Sequence, residues 1–161
     1  MPLCLVRIDD RLIHGQVSVG WVRVLSPDRI LIADDGVAGT EWQKEAYVNA
    51  TPQGLKVTIL SLADALDFLG SKVPHDERTV LLVSSPADLL KLVEGGLSIS
   101  EVNVGGVHFR EGRRKLLPYL YLDSEDEDSL RKLAAKGIRL EARDVPTAKG
   151  IDVISLIEER K

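Results

Sequence analysis

Asp9, Asp10, Arg11 and His14 stand close together near the start of the chain, and Gly15 and Gln16 follow at once. Two carboxylates, a guanidinium and an imidazole at this spacing suit a short menu of chemistry. An imidazole in such company is a metal ligand, a base, a phosphoryl acceptor or a satisfied structural residue. Arg11 lies three residues before His14, and a guanidinium pairs bidentately with phosphate oxygens. Gly15 lets the backbone approach a bound group. The amides of Gly15, Gln16 and Val17 lie where a helical pattern begins, which is a setting for an anion. Asp10 is expected to orient the imidazole or Arg11, and Asp9 to support the loop by bonding nearby amides. Neither carboxylate is expected to touch a transferred phosphoryl group, because like charges repel.

The elements around this stretch must place it. Leu3, Leu5, Val6 and Ile8 read as a buried first strand, and Val17, Trp21, Val24 and Leu25 recur at helical spacing on one face. The cluster is therefore the first strand-to-helix loop. Further strands are expected at residues 30–33, 56–60, 79–83 and 102–104, with late strands at 116–122 and 138–142. Thr40 and Gln43 form a capping-box pattern opening a helix to Asn49, with Trp42 and Ala46 on one face. Ser61 caps a helix carrying Leu62, Leu66 and Leu69. Ser85 and Pro86 suit the N-cap and first position of another helix. The acidic block from Ser124 to Asp128 reads as the favoured charge at a helix start, and a short helix spans residues 151–159. Residues 71–78 read as a surface loop. Alternating strands and helices predict an α/β fold: one domain over 1–161, with a mostly parallel open sheet and helices on both faces.

Composition narrows the function. A chain of 161 residues buries a sizeable core. A formal net charge of -4 supplies no basic field for nucleic acid. Cys4 is the only cysteine, which excludes an internal disulfide and a four-thiolate metal site. No secretory leader or membrane-spanning run is evident, so a soluble cytoplasmic protein is expected.

In open parallel sheets, ligands bind beyond the carboxyl ends of the strands. The loops reaching that edge are residues 9–14, Asp34-Asp35-Gly36, Ser84-Ser85-Pro86 and Gly105-Gly106. Their polar groups suit a phosphoryl group, and Ser84 and Ser85 are placed to face it. The first loop lacks both the dinucleotide glycine fingerprint and the phosphate-binding lysine motif. His75 and His108 show no ligand spacing with His14, and no nucleophile elbow is present. No metal and no cofactor are expected.

The run from Arg7 to Val17, Arg-Ile-Asp-Asp-Arg-Leu-Ile-His-Gly-Gln-Val, resembles the signature of the enzyme IIB component of the bacterial sugar phosphotransferase system, mannose/fructose/sorbose family. Further matching segments follow in order: Asp28-Arg29-Ile30, residues 57–60, residues 92–96, Asn103-Val104-Gly105-Gly106, Phe109-Arg110-Glu111-Gly112 and Val145-Pro146-Thr147. The resemblance implies that His14 receives a phosphoryl group from a IIA partner, on Nδ1, and passes it to a sugar held by IIC and IID membrane subunits. It implies that Arg11 binds the phosphate and that the chain associates peripherally with those subunits. Arg7, Arg11, Arg110, Arg113 and Arg114 are expected to ring the loop as a docking face. His108 departs from the family pattern, being larger and more polar than expected. Two other readings stay open: a regulatory phosphocarrier with no sugar acceptor, and a binding module in which His14 is only structural.

Overall fold

The computed structural model describes residues 3–71 and 76–159, with side chains for all of these except 16–19 and 71. His75 and the side chains of Gln16 and Val17 thus lie outside the described residues. The first apolar run forms β1 (Leu3–Asp9), followed by α1 (Gly15–Leu25), β2 (Arg29–Ala33) and the single turn α2 (Asp35–Ala38). Next come α3 (Glu41–Asn49), β3 (Lys56–Leu60), α4 (Leu62–Ser71), β4 (Thr79–Val83) and α5 (Pro86–Glu94). Then follow β5 (Glu101–Gly106), β6 (Arg114–Leu117), β7 (Leu120–Leu122), α6 (Ser124–Ala135), β8 (Arg139–Ala142), β9 (Ile151–Asp152) and α7 (Val153–Glu159).

Seven strands join in the order β3-β2-β4-β1-β5-β8-β9. Every pairing is parallel except that of β8 with β9. Buried β4 lacks alternation because both of its faces are covered. In β1 the alternation does decide the layout. Val6 and Ile8 enter the core built with α4, α5, α6 and α7, while Leu5 packs on the opposite core with Leu12, Ile13, Ile30 and Ile32. Arg7 and Asp9 share the parity of Leu5, so both point to the α1 side. The helices after neighbouring β1 and β4 go to opposite faces, α1 through Val22 and α5 through Leu89 and Leu92. Their divergence opens the crevice in which the first loop sits.

Several expected elements take a different form. Residues 116–122 are not one strand but part of the β6–β7 antiparallel hairpin, with Pro118 in its turn, where a missing N–H leaves no ladder bond unmade. Thr40 makes no capping box; its hydroxyl donates to the Gly36 carbonyl at 2.8 Å, tying α3 to α2. The capping box lies instead at Asp123 and Asp126, which start α6. Val24 and Trp42 are exposed, and the first two residues of the expected last helix form β9. Glu77, within the segment read as a surface loop, is buried between Arg29 and Lys56.

The parity of Arg7 has a large structural consequence. Its guanidinium is 1% exposed and binds Asn103 of β5, its register partner. It also donates to the Arg143 and Asp144 carbonyls, each at 3.1 Å, beyond β8. Trp21 of α1 stacks beneath it, 5.5 Å from ring centre to Cζ, and donates its own N–H to the Asp144 carbonyl at 3.2 Å. One cation thereby fastens β1, β5, α1 and the segment after β8. It lies directly over Gly105, where an added Cβ would come within 2.1 Å of Cζ. Because the guanidinium is held on several sides, it cannot swing away. Gly105→Ala is therefore expected to cost about 1–3 kcal/mol, read as a lower urea midpoint. Gly106→Ala, whose Cβ would stand 3.6 Å from Asp9, is expected to cost less.

Candidate active site

The first loop is built by bonds to its own aspartate and by two apolar anchors. Asp9 Oδ1 accepts from the Arg11 amide at 3.1 Å, and the Asp9 carbonyl accepts from the Leu12 amide at 2.9 Å. Leu12 and Ile13 are buried in the α1-side core. Leu12 takes a left-handed backbone, φ 57°, which costs a bulky L-residue about 1–2 kcal/mol; burial of its side chain offsets that cost. The chain then turns extended at His14, the N-cap residue of α1. Gly15 opens the helix with φ 33°, and a side chain there would meet no atom within 4 Å.

Asp9, not Asp10, holds the imidazole. Its Oδ2 lies 2.9 Å from His14 Nε2 and 3.1 Å from Arg7 Nη2. The reason is strand parity: Asp9 points to the α1 side with Arg7, whereas Asp10 turns toward the segment after β5. Burial alone would push the Asp9 carboxyl up. The hydrogen bond from His14 and the charge of Arg7 outweigh it, and hold the group below the ordinary carboxylate range. An ionised carboxylate only accepts, so Nε2 carries the proton and Nδ1 has the lone pair of the neutral ring. The His14 side chain is 15% exposed, within reach of solvent.

Asp10 instead receives the amide of His108 at 2.7 Å and meets His108 Nδ1 at 2.6 Å. Arg11 is exposed at the rim. The expected ring of docking arginines is corrected at Arg7 and Arg113, while the Arg114 side chain stays 34% exposed. Arg7 is interior. Arg113 is nearly buried, bound to Asp126 at 3.1 Å and to the His108 carbonyl at 3.0 Å. Arg114 binds Glu127 and the Ile157 carbonyl. The acidic start of α6 holds both of them. Arg110 stays exposed, next to Phe109, which is 68% exposed and stands edge-on to Tyr121.

Ser84 and Ser85 are also corrected. Ser85 caps α5 by accepting from the Asp88 amide at 3.1 Å. Ser84 Oγ lies 2.7 Å from Asp34 Oδ2 and 3.4 Å from Asp88 Oδ2, and two carboxylates there oppose an anion. Burial, then the charge of Asp34, pushes the Asp88 carboxyl up. The pattern gave no signal for Tyr47 of α3, whose pKa rises through burial and then through Asp34, Asp9 and Asp10. Asn103 was visible only as part of a motif, without its partner Arg7. Among the described residues no three His, Cys, Asp or Glu side chains converge as metal ligands. Among the described residues no helix is long and apolar enough to cross a membrane. A cavity of about 410 Å³ under α1 is lined by Cys4, Trp21 and Glu101 and does not include the loop.

The family model described as "PTS system sorbose subfamily IIB component" matches residues 3–161. The chain is 35% identical over 159 residues to the sorbose-specific EIIB component of Klebsiella pneumoniae, covering 99% of this chain and 97% of that one. It is 37% identical over 162 residues to the mannose-specific EIIAB component of Escherichia coli (strain K12), covering 99% of this chain. Here it spans only 50% of the relative's length. The crystal structure of the IIBSor domain of the Klebsiella pneumoniae sorbose permease superposes with a TM-score of 0.95 at 34% identity, covering 100% of this chain and 99% of that one. The N-acetylgalactosamine-specific IIB component 1 of Escherichia coli gives 0.89 at 30% identity, covering 94% and 99%.

Asp9→Asn leaves the Arg7 cation buried without its counter-charge, and is expected to cost about 3–5 kcal/mol in urea unfolding at neutral pH. The folded-state pKa of Asp9 is depressed. Its contribution is thus complete above the unfolded value, near pH 4, and disappears as pH falls through the folded value. The stability gap between wild type and variant should narrow on that descent. A gap independent of pH would contradict the charged pair.

Proposed function

Because the chain belongs to the sorbose-subfamily IIB components of the phosphotransferase system, we propose that it is a phosphocarrier whose relay atom is Nδ1 of His14. The observation that carries the reading is the Asp9–His14 contact, which engages Nε2 and leaves the lone pair on the other nitrogen. Nδ1 attacks the phosphorus of a phosphohistidine on a IIA partner. The new N–P bond forms as the donor's N–P bond breaks, and the bonding pair stays on the departing imidazole. The His14 ring then bears a proton on Nε2 and phosphorus on Nδ1, so it is a cation, which Asp9 balances. In the second half the sugar oxygen bonds to phosphorus as the N–P bond breaks; the bonding pair returns to Nδ1, so His14 leaves as a neutral ring, and the hydroxyl proton passes to water.

The equatorial oxygens carry most of the charge in such transfers, so the protein's task is placement and charge stabilisation. Arg11, exposed beside His14 in sequence and loop, supplies the cation. The open space at Gly15 and the first amides of α1 supply the cradle. Arg7 acts one step back: it fixes Asp9, which fixes the ring. Arg110 and Phe109 at the rim suit docking of the IIA protein. IIC and IID subunits would hold the sugar. The relatives bear sorbose, mannose and N-acetylgalactosamine names on one architecture, which supports placing sugar choice outside this chain.

Incubation with a phosphorylated IIA protein should label wild type on His14, mapped by mass spectrometry under mildly alkaline conditions. Phosphorus-31 spectra should report the Nδ1 isomer. His14→Ala should take no label, and label retained by it would refute the site. Arg11→Gln should slow the transfer by about 10²-fold while leaving the urea midpoint unchanged.

A further inference from the structure

His108 is bound to Asp10, the residue next to Arg11. Both oxygens of Asp10 are taken by it: Oδ2 accepts its amide at 2.7 Å and Oδ1 meets Nδ1 at 2.6 Å. This is a braced contact. The His108 carbonyl accepts from Arg113, which is anchored on Asp126, and the Asp10 amide donates to the Gly106 carbonyl at 2.9 Å. Asp10 is thus stitched to the end of β5 through its amide and to the segment after it through both carboxylate oxygens.

Arg11 differs. Its amide is held by Asp9, but its exposed guanidinium makes no hydrogen bond or ion pair among the described residues. The adjacent carboxylate is the obvious competitor for it. An unengaged Asp10 would draw the Arg11 cation to itself, and would set a negative charge beside an incoming phosphoryl group. We infer that His108 is a positioning residue: its imidazole occupies Oδ1 of Asp10, completing the main-chain bond to Oδ2, and so keeps Arg11 available to the phosphoryl group at His14. The inference rests on the phosphocarrier reading and assigns His108 and Asp10 a part in it.

Single-turnover transfer from a phosphorylated IIA protein tests this with four chains: wild type, His108→Ala, His108→Asn and the double variant His108→Ala/Asp10→Asn. His108→Ala should lower the saturating rate roughly 10- to 100-fold, with the half-saturating donor concentration unchanged. His108→Asn keeps an N–H donor near the place of Nδ1 and should restore most of the rate. The double variant should also recover, since a neutral amide does not capture a guanidinium. In nitrogen-15 spectra, the Arg11 Nε resonance should move in His108→Ala and return in the double variant. Equal rates for His108→Ala and wild type would overturn the inference, as would a double variant slower than the single one, which is the behaviour of a plain strut. Neither result touches the parent reading, which fails only if wild type takes no label or His14→Ala retains it.

Discussion

A guanidinium sealed inside a protein needs a counter-charge and a partner for its donors, and the carboxyl edge of this sheet is arranged around meeting that need for Arg7. Asp9 supplies the charge, Asn103 and two carbonyls beyond β8 accept hydrogen bonds, and Trp21 supplies a π-face. Such a pair is not by itself a large source of stability, because two ions must be desolvated to make it. What it does is specify geometry. Asp9 has one oxygen shared between Arg7 and His14, so the position of the imidazole follows from the position of a cation that cannot leave. Removing Cβ at residue 105 is what makes room for that cation.

Much of the architecture was legible because the strands are short, apolar and bounded by turn residues. β3 and β4 fall where the apolar runs place them, and Ser85–Pro86 begins α5 as their chemistry dictates. The hairpin at residues 114–122 was not legible as two strands, since an apolar run through Pro118 does not announce a reversal. In the candidate site, residue types pointed to the first loop, but the assignment of Asp10 over Asp9 ignored the period of two that already separated Arg7 and Asp9 from Val6 and Ile8. Arg113 failed for a different reason. Whether a cation faces solvent depends on acids distant in sequence, and Asp126 is an invisible partner until α6 is packed.

The rim that results is electrically divided. On the β2–β4 side stand Asp34, Asp35 and Asp88, with Ser84 among them. On the β5 side stand Arg110, the exposed ring of Phe109 and the exposed Glu111, with Asp10 bound to His108. Like charges at the β2–β4 side disfavour an anion there, so the two sides of the first loop differ in the charge they present.

Leu12 shows what gives the loop its shape. A bulky residue in a left-handed conformation is held there by its buried side chain and by the bond from its amide to the Asp9 carbonyl. The shape of the loop is therefore set by contacts within the chain. The strain at residue 12 is thus offset by core packing, and the bend that carries the chain from β1 to His14 is a property of the hydrophobic core as much as of the polar cluster above it.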